Sequence, residues 1–303
     1  METFDTIIIG TGCAGFGAAI YSGRFNLKTL ILGKIMGGTI NTTHSVENYP
    51  GFTQIGGMAL ANKLKEHAME YDITLKEEKV IKIKKQDTLF HISTKEDNYL
   101  TKTIIFCTGT EVRKLNIPGE KEFTGKGVHY CALCDGYFYK NKIVGVVGGS
   151  DSAAKEALLL SQYAKKVYII YRKEKIRAEP INYKKVIENK KIEIITNTNI
   201  LEIKGDKFVN QIIFDKPYKR KKEFNIDGLF IEIGRLPISG LAKDLGIKTN
   251  EKDEIIIDRK SKTNILGLFA AGDVVDTAFK QAITGVAEGV MAAHSAYEHL
   301  THK

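Results

Sequence analysis

Short apolar runs that end at a glycine and lead into a helical pattern recur along this chain. Thr6–Ile9 runs into Gly10, and Ile143–Val147 runs into Gly148. Runs without alternating polar positions are typical of parallel strands covered on both faces. The strand–glycine–helix order therefore predicts an α/β fold with parallel sheets. Helices are predicted at Ala14–Tyr21, Ala59–Tyr71, Ser152–Tyr163 and Gln281–Leu300, and further strands at Lys28–Leu32, Val80–Ile83, Leu89–Ser93, Lys102–Phe106, Val167–Tyr171, within Ile192–Ile233 and at Leu268–Ala271.

Two turns divide the chain. Ile117–Gly119 and Gly234–Pro237 each combine proline with glycine, which is typical of a crossing between domains. The segment after the second turn looks like the missing part of the first strand–glycine–helix unit. We therefore predict a split domain of residues 1–113 and 239–303, with a second domain of residues 114–238 inserted into it. A length of 303 residues fits two domains of roughly 150 residues each.

Composition is that of a globular protein. Hydrophobic residues make up 43% of the chain, which is enough for a sizeable core. No apolar run approaches the roughly 20 residues of a membrane span. Met1–Asp5 is acidic and runs straight into a strand, so we expect no signal peptide. Four cysteines in 303 residues do not form a disulfide framework. We therefore expect a cytoplasmic protein without a membrane partner.

The chain is basic, with a formal net charge of +9 from 45 Lys plus Arg. Such a charge can attract an acidic partner or an anionic ligand. The lysines are spread over Lys76–Lys85, Lys184–Lys191 and Lys216–Lys222 rather than gathered in one arm. No nucleic-acid-binding motif accompanies them, so a solvated lysine-rich surface is the favoured interpretation and a nucleic-acid partner is not expected.

The first glycine motif lies between a predicted strand and a predicted helix. Gly10 permits a tight turn, Gly12 lets the backbone approach a pyrophosphate, and Gly15 lets the helix pack on the strand. The helix N-terminus favours the phosphate charge. The acid expected after the second strand is missing, because Gly33 and Lys34 stand there. The motif predicts a dinucleotide site.

The second glycine motif, Gly148–Ala153, has the same context. An acid that would bind a ribose hydroxyl is again missing, here from the end of the next predicted strand, Val167–Tyr171. Arg172, Lys173 and Arg177 follow that strand instead, where a 2′-phosphate would lie. A solvated basic turn is the alternative in this lysine-rich chain. We favour a nicotinamide site that prefers NADPH over NADH.

A pair of cysteines lies between the two motifs. Cys131 and Cys134 are two residues apart, and Asp135 follows directly. A CxxC pair lowers the pKa of one thiol, often to about 7, and the thiolate is the form that attacks a disulfide. Asp135 is placed to protonate a leaving thiolate, directly or through water, and we favour this role over the alternative of an acid at a helix N-terminus. His129 is interpreted as a surface histidine.

A zinc site is the rival interpretation of the cysteine pair. A structural zinc site needs four ligands, usually from a second CxxC or a pair of histidines. Cys13 and Cys107 stand alone on strand–turn units, and no histidine pair has the required spacing. Both are interpreted as small buried hydrophobic residues. The pattern therefore favours redox chemistry, and no metal is expected.

In this order, the motifs resemble those of the low-molecular-weight thioredoxin reductases, which are flavoproteins with two dinucleotide domains. The resemblance covers nearly the whole chain, and its most specific part is the Cys131–Gly136 segment placed shortly before the second glycine motif. It implies two Rossmann-like domains of the three-layer ββα type, with FAD in the split domain and NADPH in the inserted one. It also implies a homodimer that reduces thioredoxin or a thioredoxin-like protein. In the family, the cysteine equivalent to Cys134 faces the flavin, and that equivalent to Cys131 attacks the substrate.

The resemblance also assigns cofactor contacts position by position. For FAD these are Gly10, Gly12, Ala14, Gly15, Gly33, Gly37, Gly38, Thr39, Asn48, Val80, Thr108, Gly109, Gly272, Asp273, Lys280, Gln281 and Ala282; for NADPH they are Gly148, Ser150, Asp151, Ser152, Arg172, Lys173 and Arg177.

Several positions depart from the family pattern. Thr39 replaces a glutamine, Lys280 replaces an arginine, and Ser150 replaces the second glycine of the nicotinamide motif. Three other functions stay open beside the reductase. They are a related flavin disulfide reductase with another electron donor or a glutaredoxin-like substrate, a ferredoxin–NADP reductase-like enzyme, and a flavin-binding redox sensor without turnover. The ferredoxin–NADP reductase would not need Cys131 and Cys134.

Overall fold

The chain folds into two compact units in the computed structural model, which describes residues 1–301. The first unit combines Met1–Glu111 with the part of the chain from Leu236 onward, and the second is Val112–Arg235. Each unit contains its own parallel sheet. In the described part of the chain, no helix combines the length and the apolar character needed to cross a bilayer.

The structure contains strands, helices and two 3₁₀ turns. The strands are β1 (Thr3–Ile9), β2 (Thr29–Leu32), β3 (Ile73–Lys76), β4 (Lys82–Gln86), β5 (Leu89–Ser93), β6 (Asn98–Phe106), β7 (Thr110–Val112), β8 (Val128–His129), β9 (Ile143–Val147), β10 (Lys166–Ile170), β11 (Ile192–Ile195), β12 (Ile200–Gly205), β13 (Val209–Tyr218), β14 (Lys221–Asn225), β15 (Gly228–Ile231), β16 (Arg235–Pro237) and β17 (Leu268–Ala270). The helices are α1 (Cys13–Arg24), α2 (Gly57–Met69), α3 (Ala132–Asp135), α4 (Asp151–Ser161), α5 (Pro180–Glu188), α6 (Gly240–Asp244) and α7 (Ala282–Thr301), and the 3₁₀ turns are Gly38–Thr42 and Gly136–Tyr139.

The sheet of the first unit joins a parallel core to an antiparallel hairpin. Its strand order is β3-β2-β1-β6-β5-β4, and β17 also pairs with β6. Strands β1, β2, β3, β6 and β17 run parallel, while β4 and β5 are antiparallel. Strand β5 pairs with the first half of β6, and β17 pairs with its last three residues. Because β17 comes from the C-terminal segment, the chain needs both segments to complete this sheet.

Helices α1 and α7 pack against one face of that sheet through small residues. A Cβ added at Gly289 would lie 2.1 Å from the Ala14 carbonyl oxygen, and one at Gly17 would lie 2.7 Å from the Val286 carbonyl oxygen. The two helix backbones are therefore in direct contact. This contact positions the N-terminus of α1, where the first glycine motif lies.

The inserted unit has three layers. Its five-stranded sheet has the order β11-β10-β9-β15-β8, with every pairing parallel. One buried cluster combines the sheet with α4 and α5, through residues such as Ala157, Leu160 and Val186. Another combines it with the antiparallel sheet β12-β13-β14, through residues such as Ile212 and Phe214.

The predicted α/β fold class is correct, but some local predictions are not. The predicted strand at Val80–Ile83 begins only at Lys82, and Val80 packs into the core from the preceding loop. Helix α5 was not predicted, because Ile181 and Ile187 are more than half exposed and interrupt the amphipathic pattern.

We predict that Gly289→Ala destabilises the first unit while Gly285→Ala on the same helix does not. The new methyl group of Gly289→Ala would overlap backbone atoms of α1, whereas a Cβ at Gly285 would have its nearest neighbour at 3.6 Å. The first change should lower the free energy of unfolding by about 3 kcal/mol, and the second should raise it by up to about 1 kcal/mol. Urea unfolding followed by circular dichroism measures both. Equal midpoints for the two variants would contradict the close packing of α1 on α7.

Candidate active site

The two cysteines of the CxxC motif form a disulfide on one turn of the inserted unit. Cys131 is the N-cap of α3, and its Cα lies 5.4 Å from that of Cys134. The Cys131 sulfur also accepts a hydrogen bond of 3.1 Å from the Cys134 backbone N–H. Cys134 is exposed and Cys131 is half-buried. A disulfide that solvent can reach on a short helix is available for exchange with an external thiol.

The other two cysteines lie in the first unit and are not poised for this chemistry. Cys107 is buried, and Cys13 is half-buried at the start of α1. Burial raises the pKa of both thiols, that of Cys13 to about 11. Neither is ionised near neutral pH, so they behave as small hydrophobic residues.

A buried histidine contacts the acid that follows the cysteines. The His129 Nδ1 atom lies 3.0 Å from Asp135 Oδ2, and its Nε2 atom lies 2.7 Å from the Tyr139 hydroxyl. Its ring stacks on Phe230, with ring centroids 5.2 Å apart. The interpretation of His129 as a surface residue is therefore wrong, because β8 pairs with β15 and buries it to 8% exposure. Burial lowers the pKa of His129, although the Asp135 carboxylate opposes this, so the ring is neutral near pH 7.

A second carboxyl group contacts the same turn from α4. Glu156 Oε2 accepts a hydrogen bond of 2.5 Å from the backbone N–H of Ala132, the residue after Cys131. Burial raises the pKa of Glu156 to about 7. Burial and the Glu156 charge raise that of Glu232 to about 8, and Arg235 opposes both shifts. Neither glutamate was predicted; the available signal was an acid among the apolar residues of α4.

The second glycine turn joins β9 to α4. Gly148 has a φ of +149°, and a Cβ there would lie 2.1 Å from the Glu232 carbonyl oxygen. Ser150 is the N-cap of α4, and its side chain makes no capping hydrogen bond to that helix. The Arg177 backbone N–H donates to the Gly149 carbonyl at 2.6 Å, which brings the basic loop beside the start of α4.

Most of the residues predicted to bind NADPH around this turn are exposed, but Asp151 is engaged in contacts within the protein. Arg172, Lys173 and Arg177 are exposed, and Ser152 is exposed in the first turn of α4. Asp151 instead accepts hydrogen bonds from the Glu179 backbone and the Asn182 side chain. These bonds and Lys155 hold its pKa below the ordinary value although burial raises it. Asp151 thus ties α4 to α5.

The first glycine turn joins β1 to α1. Gly10 has a φ of +122°, and a Cβ there would lie 2.0 Å from the Cys107 carbonyl oxygen. At Gly12, the N-cap of α1, a Cβ would meet only the Gly37 carbonyl oxygen, at 3.8 Å. Among residues 13–16, the first turn of α1 contains no acidic side chain. The helix N-terminus with this approach fits an anionic diphosphate.

Other residues predicted to bind FAD gather around this turn. Gly33 approaches Thr11, and Gly37 donates its N–H to the Thr11 carbonyl at 2.8 Å. From the C-terminal segment, Gly272 lies against Ala14, with 2.8 Å between a Cβ built on Gly272 and the Ala14 Cβ. The first unit therefore brings its N-terminal glycines together with the C-terminal segment. Gly15 and Gly38 lie in the same cluster: a Cβ at Gly15 would lie 1.9 Å from the Gly10 carbonyl oxygen, and one at Gly38 would lie 3.3 Å from the Gly12 Cα.

The remaining predicted FAD residues make contacts of their own. Asn48 donates to the Gln281 side chain at 3.0 Å. The Lys280 ammonium donates to the Asp273 carbonyl at 3.0 Å and pairs with Glu254. Thr39 lies in the 3₁₀ turn Gly38–Thr42, and Ala282 is the first residue of α7. The Thr108 hydroxyl donates to the Ile238 carbonyl at 2.6 Å, and the next residue, Gly109, has a φ of +65°. Val80 is buried, at 5% exposure.

One further contact in this region was not predicted. Glu288 of α7 accepts hydrogen bonds from the Gly272 backbone N–H, at 2.8 Å, and from the Thr277 hydroxyl. Burial raises its pKa, and the two hydrogen bonds oppose that rise. Glu288 thus holds the loop after β17 against α7.

Two glycine turns at the carboxyl ends of parallel strands and an exposed disulfide are the features expected of a dinucleotide-dependent disulfide oxidoreductase. Residues 4–296 match the family model of pyridine nucleotide-disulphide oxidoreductases, and the chain belongs to that family. Within it, the chain is 39% identical to the thioredoxin reductase of Treponema pallidum, over 99% of this chain and 98% of that one. These findings confirm the resemblance recognised from the motifs.

Solved structures agree with this placement. A crystal structure of Lactococcus lactis thioredoxin reductase matches with a TM-score of 0.95 and 39% identity, over 99% of this chain and 100% of that one. A ferredoxin-flavin thioredoxin reductase from Clostridium acetobutylicum matches with a TM-score of 0.55 and 33% identity, over 100% of both chains. The predicted pair of dinucleotide-binding domains is thereby confirmed.

We predict that Glu232→Gln stabilises the protein more at pH 8 than at pH 5. The pKa of Glu232 in the folded protein, about 8, exceeds its ordinary value of 4.5. The folded state therefore binds this proton more tightly than the unfolded state, and folding stability falls as the pH rises between these values. Glutamine removes that loss. The gain at pH 8 relative to pH 5 should be on the order of 1 kcal/mol or more.

Urea unfolding at the two pH values measures the effect. Glu223→Gln, at an exposed position of the same unit, is the matched control and should show the same stability change at both. A Glu232→Gln gain that does not depend on pH would contradict the raised pKa.

Proposed function

We propose that this chain is an NADPH-dependent thioredoxin reductase. Electrons pass from NADPH through FAD and the Cys131–Cys134 pair to the disulfide of thioredoxin or a thioredoxin-like protein. The observation that carries the proposal is the solvent-accessible disulfide of α3, held in the same unit as a nucleotide-type glycine turn. Its full-length similarity to thioredoxin reductases supports the same conclusion.

FAD would bind at the start of α1 in the first unit. Gly12 leaves space for a diphosphate, and the N–H groups of the helix N-terminus supply hydrogen-bond donors without an acidic side chain to repel it. The C-terminal segment closes on Asn48 through Gln281. When bound, FAD supplies the electron transfer between the nicotinamide and the dithiol, which amino-acid side chains alone do not perform.

NADPH would bind at the start of α4 in the inserted unit. The side chain of Ser150 does not cap the helix, so the N-terminal N–H groups remain available to a diphosphate. Arg172, Lys173 and Arg177 are exposed cations in the loop after β10. They suit the additional phosphate that distinguishes NADPH from NADH.

The dithiol would act by thiol–disulfide exchange. The Cys131 thiolate attacks the substrate disulfide, one substrate sulfur leaves, and a mixed disulfide forms. Cys134 then attacks Cys131, which re-forms the intramolecular disulfide and releases the second substrate sulfur. Asp135 supplies a proton to the leaving thiolate. The substrate gains two electrons and two protons, and the dithiol loses the same number.

The surface beside the dithiol suits a protein substrate. Leu133, Tyr137 and Phe138 are 38%, 66% and 70% exposed, and all three flank the cysteines in sequence. Large apolar side chains at the surface are typical of a protein contact. We propose that these three residues form the docking surface for thioredoxin. The homodimer and the cytoplasmic location are also proposals, carried by the resemblance.

A reductase that takes electrons from another donor is the second candidate. The match to a protein titled ferredoxin-flavin thioredoxin reductase favours it, as does Ser150 at the position of an expected glycine. If the protein reduces thioredoxin without needing a nicotinamide cofactor, another electron donor takes the place of NADPH in the proposal. It would leave the dithiol chemistry unchanged.

We predict that Cys131→Ser and Cys134→Ser each abolish thioredoxin reduction but leave flavin reduction by NADPH intact. The dithiol lies after the flavin in the electron path, so its loss blocks only the last transfer. NADPH oxidation is followed with thioredoxin, and flavin bleaching is followed without it. Both variants should remain yellow with one FAD per chain, identified by mass spectrometry of the denatured supernatant.

Cys13→Ser is the matched control, because this thiol is predicted to lie outside the electron path. It should retain thioredoxin reduction. Reduction near the wild-type rate by either α3 variant, or FMN in place of FAD, would overturn the proposal.

We predict that NADPH is preferred over NADH and that Arg172 and Arg177 supply the preference. Each charge-assisted hydrogen bond to a 2′-phosphate contributes roughly 1.5–3 kcal/mol, so two give a preference on the order of a hundredfold or more. The double change to alanine should raise the KM for NADPH and hardly affect NADH. Lys175→Ala, a change at an exposed cation of the same loop that contacts Tyr183, should leave both KM values unchanged. Equal wild-type kcat/KM values for the two cofactors would refute the assignment.

A further inference from the structure

The contacts of His129 determine which of its nitrogens carries hydrogen. An ionised Asp135 carboxylate can only accept, so the Nδ1 atom at 3.0 Å must donate to it. The Nε2 atom of the neutral ring is then an acceptor, and the Tyr139 hydroxyl at 2.7 Å donates to it. Tyr139 is itself buried at the end of the 3₁₀ turn that follows α3. The three side chains thus form a directed chain of hydrogen bonds from Tyr139 to Asp135.

This chain ends on one oxygen of the carboxylate. His129 contacts Oδ2, and within residues 1–301 no hydrogen bond to Oδ1 is seen. Asp135 is half-buried and directly follows Cys134. A carboxylate held at one oxygen keeps its orientation while the other oxygen remains able to exchange a proton.

We propose that His129 is a positioning residue for Asp135 in the dithiol reaction. It holds Oδ2 through Nδ1–H and leaves Oδ1 to exchange the proton of the cysteines. Tyr139 fixes the tautomer of the imidazole that this requires. The inference rests on the proposed disulfide reductase function.

The proton balance assigns a distinct task to each group. During substrate reduction, Asp135 accepts a proton from a cysteine thiol, gives it to the leaving substrate thiolate and returns to the ionised form. His129 keeps its Nδ1 proton throughout. It donates this hydrogen to Asp135 Oδ2 and thereby holds the carboxylate in place.

Few other charged groups face this network. Phe230 covers the other face of the His129 ring and carries no charge. Lys142 lies over the Tyr139 ring, 5.5 Å from its centroid, and Asp227 acts on Tyr139 from the loop before β15. Glu156 titrates beside Ala132 and contacts the same α3 turn. Its contribution has to be removed in any pH measurement on the cysteines.

The test compares two substitutions that differ in which imidazole nitrogen they replace. His129→Asn places its side-chain amide near the position of Nδ1 and can still donate to Asp135. His129→Gln places its amide near the position of Nε2 and loses that donor. Both are made in a Glu156→Gln background, which keeps the hydrogen-bond acceptor for Ala132. Tyr139→Phe, which removes only the hydroxyl that fixes the tautomer, is the third variant.

The readout is the pH dependence of iodoacetamide alkylation of Cys131 and Cys134 in the reduced holoprotein, followed by mass spectrometry. The inflection of this alkylation profile should move up by about one pH unit in His129→Gln. It should stay near the wild-type position in His129→Asn and move up by less in Tyr139→Phe. In turnover, His129→Gln should lower kcat with thioredoxin between about ten- and a hundredfold, without changing the KM for NADPH.

Identical alkylation profiles for the Asn and Gln variants would overturn the proposal, because they would leave His129 only a packing role. If His129→Gln does not fold, an unshifted Tyr139→Phe profile overturns it equally. Alkylation needs neither NADPH nor thioredoxin. The expected shift in a protein that reduces no thioredoxin would therefore support the positioning role and refute the proposed function instead.

Discussion

Both units depend on the same close approach between two neighbouring strands. In the first unit, Gly10 after β1 lies against the Cys107 carbonyl, which follows β6. In the inserted unit, Gly148 after β9 lies against the Glu232 carbonyl, which follows β15. A side chain at either glycine would overlap a backbone oxygen near 2 Å, and both have positive φ. This contact turns the chain sharply enough for the next helix to begin at the carboxyl edge of the sheet.

The placement of the helix N-termini follows from that contact. The N-cap of α1, Gly12, lies two residues after Gly10, and the N-cap of α4, Ser150, lies two residues after Gly148. Each helix leaves its first N–H groups without a side-chain cap at the edge of a parallel sheet, which is where α/β proteins bind nucleotides. The two units thus solve one packing problem in the same way. They differ at the N-cap residue: Gly12 leaves an open approach to α1, whereas the N-cap of α4 is Ser150, which has a side chain.

Sequence patterns predicted what is local. The glycine spacing, the apolar strands and the CxxC pair depend on neighbours within a few residues, and they led to the correct fold class. The burial of His129 does not depend on neighbours in sequence. Strand β8 is only two residues long, and it pairs with β15 at Phe230, about a hundred residues further on. Glu156 was missed for a similar reason: its partner, the Ala132 N–H, is a backbone group that no side-chain pattern reveals. Val80 satisfied a strand pattern, but its apolar side chain fills the core from a loop.

Glu156 and His129, whose contacts the sequence patterns did not reveal, hold the dithiol turn from opposite ends. Glu156 binds the N–H at the start of α3, and His129 binds the acid at its end. A four-residue helix cannot hold its own geometry, since its N–H and C=O groups are mostly terminal. The geometry of the turn therefore depends on these two contacts, from Glu156 on helix α4 and from His129 on the sheet. Because one contact is made by a carboxyl group with a pKa of about 7 and the other by a neutral imidazole, the charge around the cysteines is set by the fold of the inserted unit.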